Sequence, residues 1–120
     1  MEQKKARYTW HKVFGSLTEA HEQVPLRKLK QLVLDGRPIC FAHTANGFFA
    51  LDDTCPHLGF SLSKGTTNYL DEVVCPWHSY RYSMQDGREC EFRTRKAVLH
   101  RVELREEGVF VGIEMPADLT

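Results

Sequence analysis

The sequence predicts a mainly β fold, a sandwich or a small barrel. Three observations point there. The apolar residues fall in short runs, with no long stripe at helical spacing. Turn residues separate those runs at close intervals. Asn46-Gly47 joins two of the most apolar runs, a strong hairpin signal.

The elements follow in order. Residues 8–14 have strand-like content. Residues 16–23 suit a short helix, with Ser16 as N-cap and Glu19 three residues on as its capping-box partner. Residues 29–34 read as a strand running into a turn at Asp35-Gly36. Residues 38–43 and 48–52 are the two apolar runs of the hairpin. Further strands are expected at 72–75, 80–84, 97–104 and 109–112, with turns at Gln85-Asp86-Gly87 and Glu106-Glu107-Gly108. Residues 53–65 differ. They are rich in Pro, Gly, Ser and His, lack alternation, and read as a pair of ordered loops rather than core.

Composition sets the outer bounds. The 120 residues suit one domain, 1–120, with no internal repeat or interdomain linker. With 42% hydrophobic residues the chain can form a core, which excludes disorder. Sixteen Lys+Arg balance sixteen Asp+Glu, so no excess positive charge is available for nucleic-acid phosphates. The longest apolar stretch is broken by His43, Thr44, Asn46 and Gly47, which argues against a membrane span. Met1-Glu2-Gln3-Lys4-Lys5 is not followed by the apolar region of a secretory signal, so the expected location is cytoplasmic. Thiols there stay reduced, and the four Cys favour metal chemistry over disulfides. The amino-terminal thirty residues are net basic and the last thirty-six net acidic. These are solvated faces or a bipolar surface that orients docking.

Two short units carry the chemistry. Cys55-Pro56-His57 is a C-x-H unit and Cys75-Pro76-Trp77-His78 a C-x-x-H unit, with seventeen residues between His57 and Cys75. Each offers one soft thiolate and one imidazole. A single Zn²⁺ uses such a set, although C-x-H is tighter than the usual zinc spacing. A two-iron cluster suits the spacing better, with two Cys on one iron and two His on the other.

The pattern resembles the Rieske [2Fe–2S] family. The fragments Cys-Pro-His-Leu-Gly at 55–59 and Cys-Pro-Trp-His at 75–78 carry the resemblance, and residues 48–54, Asp86-Gly87 and 108–111 extend it. It implies a Rieske-type antiparallel β-sandwich with a small inserted cluster-binding lobe at about 53–84. It further implies that Cys55 and Cys75 bind one iron and His57 and His78 the other, in one [2Fe–2S] cluster. Respiratory-complex members carry an extra Cys in each loop, joined as a disulfide; Phe60 and Trp77 occupy those positions here, as in ferredoxin-like and oxygenase-type members. Ser79 stands where the family usually has Gly, and Tyr80 where high-potential members have a sulfur-bonding Ser. Tyr82 stands where those members have a Tyr that bonds a ligand sulfur. A potential in the lower half of the family's range, raised by Tyr82, is expected.

The resemblance implies a ferredoxin, a one-electron carrier from a flavin-dependent reductase to a terminal oxygenase, and not itself an enzyme. The family's oxygenases place a mononuclear iron in a further catalytic domain, for which 120 residues leave no room. The rivals are a small subunit of a nitrite-reductase-like complex and a non-redox module of the same fold. Cys40 reads as a buried hydrophobe and Cys90 as a partly exposed bystander. His11, His21, His43 and His100 read as structural or solvated. Phe60 and Trp77 either shield the site or form a docking surface, and Pro56 and Pro76 shape the loops.

Overall fold

The computed structural model describes residues 7–115, and the expected β-sandwich is what it shows. Strands β1 (Tyr8–Phe14), β2 (Leu29–Leu34), β3 (Arg37–Thr44), β4 (Gly47–Asp52), β8 (Leu99–Arg105) and β9 (Gly108–Glu114) form a six-stranded sheet in the order β1-β9-β8-β4-β3-β2. Every neighbouring pair is antiparallel. Strands β4 and β8 share only two register pairs. The sheet folds there, so that β1-β9-β8 lies over β2-β3-β4. A buried cluster fills the space between, with Phe14 from β1, Ile39 and Phe41 from β3, Ala50 from β4 and Val109 and Val111 from β9.

The helix α1 (Leu17–Gln23) caps one end of this core with Ala20. Ser16 Oγ accepts from the Glu19 amide at 3.0 Å, as the capping box requires, and the Glu19 carboxylate takes the Gly15 amide. Between β2 and β3 the turn residues Asp35 and Gly36 both have positive φ, 51° and 78°, which matches the twist of a two-residue hairpin. The β3–β4 hairpin also forms, but its central pair is Ala45-Asn46. Thr44 pairs with Gly47, which opens β4 at φ 121°. Asn46 is drawn off to bond Asp71 at 2.7 Å.

Strand β3 is buried on both faces. Its odd residues Ile39 and Phe41 enter the sandwich core, and its even residues Cys40 and Ala42 enter a second cluster with Leu51, Cys55, Leu62, Val73, Cys75, Tyr82 and Met84. The period-two alternation of a strand therefore joins two cores. The second lies beneath a small lobe of the 3₁₀ turn η1 (Leu62–Lys64) and the short strands β5 (Thr66–Thr67), β6 (Glu72–Val74) and β7 (Arg81–Ser83), in the order β5-β6-β7. The segment 53–65, expected to be loop and not core, supplies buried Asp53, Cys55 and Leu62. Among the described residues no helix is long and apolar enough to cross a membrane.

Candidate metal centre

Two loops of the lobe carry the four candidate ligands. The first leaves β4 and runs to η1; the second joins β6 to β7. Each closes on its cysteine in the same way. The Cys55 amide donates to the Phe60 carbonyl and the Cys75 amide to the Tyr80 carbonyl, both at 2.8 Å. The fourth residue after each cysteine has positive φ: Gly59 at 79° and Ser79 at 57°. In the second loop His78 is left-handed too, at 64°. The expected conflict at Ser79 is therefore present, because a side chain stands where the backbone favours glycine. Gly65 serves a different need. A Cβ there would collide with the Val74 carbonyl, so the first loop can pass close against β6 only with glycine at this point.

Cys55 and Cys75 are buried at the base, within hydrogen-bonding reach of each other. Burial, and then the neighbouring Cys55, push the Cys75 thiol up to about 11. Two thiols in this position need a cation before both can ionise. The imidazoles sit further out, with ring centroids 5.6 Å apart. His57 is half-buried and His78 exposed. The Nδ1 of His57 is buried and has no hydrogen-bond partner. Among the described residues no three His, Cys, Asp or Glu side chains gather around one point; the donors form two pairs instead. Two thiols, two imidazoles and one unsatisfied ring nitrogen fit the donor set of a binuclear cluster with mixed ligands.

The surroundings are built with care for direction. Tyr82, fully buried, places its hydroxyl 3.4 Å from Cys55 Sγ and 3.3 Å from Thr94 Oγ1. Burial first, and then Cys55, hold this phenol well above its ordinary value, so it remains a donor. Asp53 ties the first loop down. It accepts from Ser63 N at 2.5 Å, from Ser61 Oγ and Ser63 Oγ at 2.5 and 2.8 Å, and from Gln31 Nε2 of β2 at 2.7 Å. At the tip, Phe60 and Trp77 stack with ring centroids 5.2 Å apart, and Leu58 beside them is 55% exposed.

Profile comparison matches residues 16–111 to the Rieske [2Fe-2S] domain. The chain belongs to the Rieske [2Fe–2S] family. It is 42% identical over 50 residues to the oxygenase component of 3-ketosteroid-9-alpha-monooxygenase from Mycolicibacterium smegmatis, a match covering 42% of this chain and 12% of that protein. Its fold is similar to a chain in the complex of reduced oxygenase and oxidized ferredoxin in carbazole 1,9a-dioxygenase (TM-score 0.75, 25% identity, covering 91% of this chain and 97% of that one). It is also similar to the putative NADH-dependent nitrite reductase small subunit from Mycobacterium tuberculosis (TM-score 0.77, 15% identity, covering 91% and 98%).

Other sequence expectations resolve individually. Cys40 is buried in β3, and burial holds its thiol well above its ordinary value. Cys90 is half-buried and donates to Glu89 Oε2 at 3.3 Å, so it is more than a bystander. His43 is buried with Nδ1 2.8 Å from the Val24 carbonyl, and His100 Nε2 lies 2.8 Å from Asp52 Oδ1; both are structural. Sequence reasoning missed Asp53, Glu89 and Arg93, and it marked Tyr80 only as the replacement of a Ser. The i,i+4 spacing of Glu89 and Arg93 and the matching places of Phe60 and Tyr80, five residues after each cysteine, were the available signals.

Proposed function

We propose that this chain is a one-electron carrier in which Cys55 and Cys75 hold one iron, and His57 and His78 the other, of a single [2Fe–2S] cluster. The carrying observation is the pair of matched loops, which hold two buried thiols within hydrogen-bonding reach of each other and an orphan imidazole nitrogen. When bound, the cluster supplies a one-electron couple, for which neutral imidazoles in place of two thiolates set a potential above that of an all-cysteine cluster. The chain's own residues do the rest. Tyr82 donates toward the Cys55 sulfur, Asp53 fixes the first loop, and the lobe at about 53–84 acts as the cluster-binding part of a single domain 1–120. Leu58, Phe60 and Trp77 form an apolar docking tip beside the imidazoles, where a short path to a partner's redox centre is possible.

The donor in this reading is a flavin-dependent reductase and the acceptor a terminal oxygenase. The fold shared with the carbazole system supports that choice. The four free thiols suit the reducing cytoplasm. The likeness to the nitrite reductase small subunit supports a second reading, a permanent subunit docked through the same tip. EPR of the dithionite-reduced protein tests the cofactor. A rhombic signal with average g below the free-electron value is expected, and a colourless protein containing only zinc would refute the reading. Titration of the purified chain with oxygenase then separates transient from permanent binding: rapid exchange favours the carrier, and inseparable co-purification favours the subunit.

A further inference from the structure

The two histidines are held differently. His57 lies flat on the Tyr80 ring, with centroids 4.0 Å apart and planes 3° from parallel. The guanidinium of Arg93 covers the other face of that ring, its Cζ 3.7 Å from the centroid. Arg93 is in turn gripped by the buried carboxylate of Glu89, through Nε at 3.0 Å and Nη2 at 2.7 Å. The amides of Arg93 and Glu91, at 2.7 and 3.2 Å, hold that carboxylate in place. His78 has no such backing. It is exposed, and its ring contacts, with Trp77 at 5.1 Å and with His57 at 5.6 Å between centroids, are both tilted.

We propose that the Glu89–Arg93–Tyr80 column is a positioning device for His57, fixing its ring plane and presenting a cation behind it, so that His57 is the held ligand and His78 the one offered to a redox partner. The physical case has three parts. A planar stack restricts rotation about the Cβ–Cγ bond of the imidazole, which a ligand bonded through one nitrogen otherwise retains. A guanidinium over an aromatic face is a favourable pair, and the bidentate Glu89 contact holds it in place there. A fixed positive group behind the imidazole favours the state with one more electron. Arg93 is the member in contact with the ring, and the carboxylate paired with it is also held by two backbone amides and by Cys90 Sγ.

This inference rests on His57 being a cluster ligand, and the test separates the two. Wild type, Tyr80→Phe, Tyr80→Leu, Arg93→Lys and Arg93→Gln are compared by reduction midpoint and by the ¹⁵N hyperfine couplings of the two histidines in the reduced protein. Tyr80→Phe keeps the stack and is expected to match wild type. Tyr80→Leu is expected to broaden the coupling of one histidine and leave the other unchanged. Arg93→Gln is expected to lower the midpoint, and Arg93→Lys to restore part of that shift. If Tyr80→Leu fails to assemble a cluster, Arg93→Gln carries the test, since it keeps the ring. Unchanged midpoint and couplings in Arg93→Gln and in any assembled Tyr80→Leu overturn the column's role. Absence of histidine couplings from wild-type protein overturns the ligand reading beneath it instead.

Discussion

The six-stranded sandwich and the three-stranded lobe are held together by different physics. In the sandwich, β3 alone makes six register pairs with β2 and six with β4, and apolar side chains fill the space between the layers. In the lobe, β5 and β6 share two pairs and β6 and β7 three, too few for a sheet to stand by itself. What fixes the lobe, beyond the apolar cluster beneath it, is a set of buried carboxylates. Asp53 gathers the first loop, and Asp71 takes Asn46 and Gln85. Glu89 gathers residues 90–93. Apolar packing tolerates small shifts, whereas a carboxylate bonded to several donors fixes direction. A lobe that must hold four donors in place is built from the directional kind of contact.

The largest test breaks the lobe's purpose and leaves the sandwich alone. Substituting Cys55 or Cys75 by Ser, or His57 or His78 by Ala, is expected to abolish the Rieske absorbance and EPR signal. Amides of 53–84 should then exchange faster with solvent while those of β2, β3 and β4 stay protected. Cys40→Ser and Cys90→Ser are expected to keep the spectrum. Bleaching in either would mean that the ligand set is wrong.

Asp53→Asn comes next. The substitution keeps the shape but removes the charge that four donors converge on, and one oxygen becomes an unwanted N–H donor. A loss of about 1.5–3 kcal/mol is expected, by the ordinary worth of hydrogen bonds to a charged group. Urea titration followed at the cluster absorbance should show it as an earlier transition than far-UV circular dichroism reports. Coincident transitions would mean that lobe and sandwich unfold as one unit.

Glu89 gives the comparison a pH axis. Hydrogen bonds from Arg93 hold its carboxyl down at about 2, against an ordinary 4.5. Because the folded value is the lower one, the stabilisation is complete above about 4.5 and is lost as pH falls from there through about 2. Protection of amides 89–93 should therefore fade across that window in wild type. Glu89→Gln should show weaker protection at neutral pH and little further change on acidification.

How much was legible follows the same division. The strands at 8–14 and 29–34 were read to the residue, because alternation and turn chemistry decide them. The capping box placed α1 for the same local reason. The four candidate ligands were picked out by the spacing of the two short units together with the family resemblance it carries. The lobe's framework was not. Asp53, Asp71 and Glu89 look like surface residues in any hydropathy reading, yet each is buried because the loops around it supply donors. The Tyr80 stack was equally hidden, since it depends on Arg93, thirteen residues further on.

Tyr82→Phe probes the contact that reaches the sulfur of Cys55, a proposed ligand, from the core beneath the lobe. A hydrogen bond to sulfur stabilises the more electron-rich reduced state more than the oxidised one. If the difference is about 1 kcal/mol, within the worth of such a bond, the midpoint falls by about 40 mV for a one-electron couple. The cluster should remain assembled, since the ring and its packing are kept. Protein-film voltammetry decides it, and equal midpoints would mean that the 3.4 Å approach to Cys55 carries no bond.

The smallest effect compares the lobe's two loops directly. Gly59 and Ser79 hold equivalent places, four residues after their cysteines, and both have left-handed backbone. Glycine adopts that conformation freely; serine does so at a cost, and His78 just before it adds its own. Ser79→Gly should remove the strain but also loosen the unfolded chain, so the net gain is about 0.5 kcal/mol, below the roughly 1 kcal/mol cost of the left-handed residue itself. Gly59→Ser should lose a comparable amount, as nothing lies within 4 Å of a Cβ there to add a clash. Opposite signs in the two variants, measured by thermal unfolding of the cluster-loaded protein, would show that backbone conformation alone separates the loops. A loss in both would show that the Ser79 side chain contributes something that outweighs its strain.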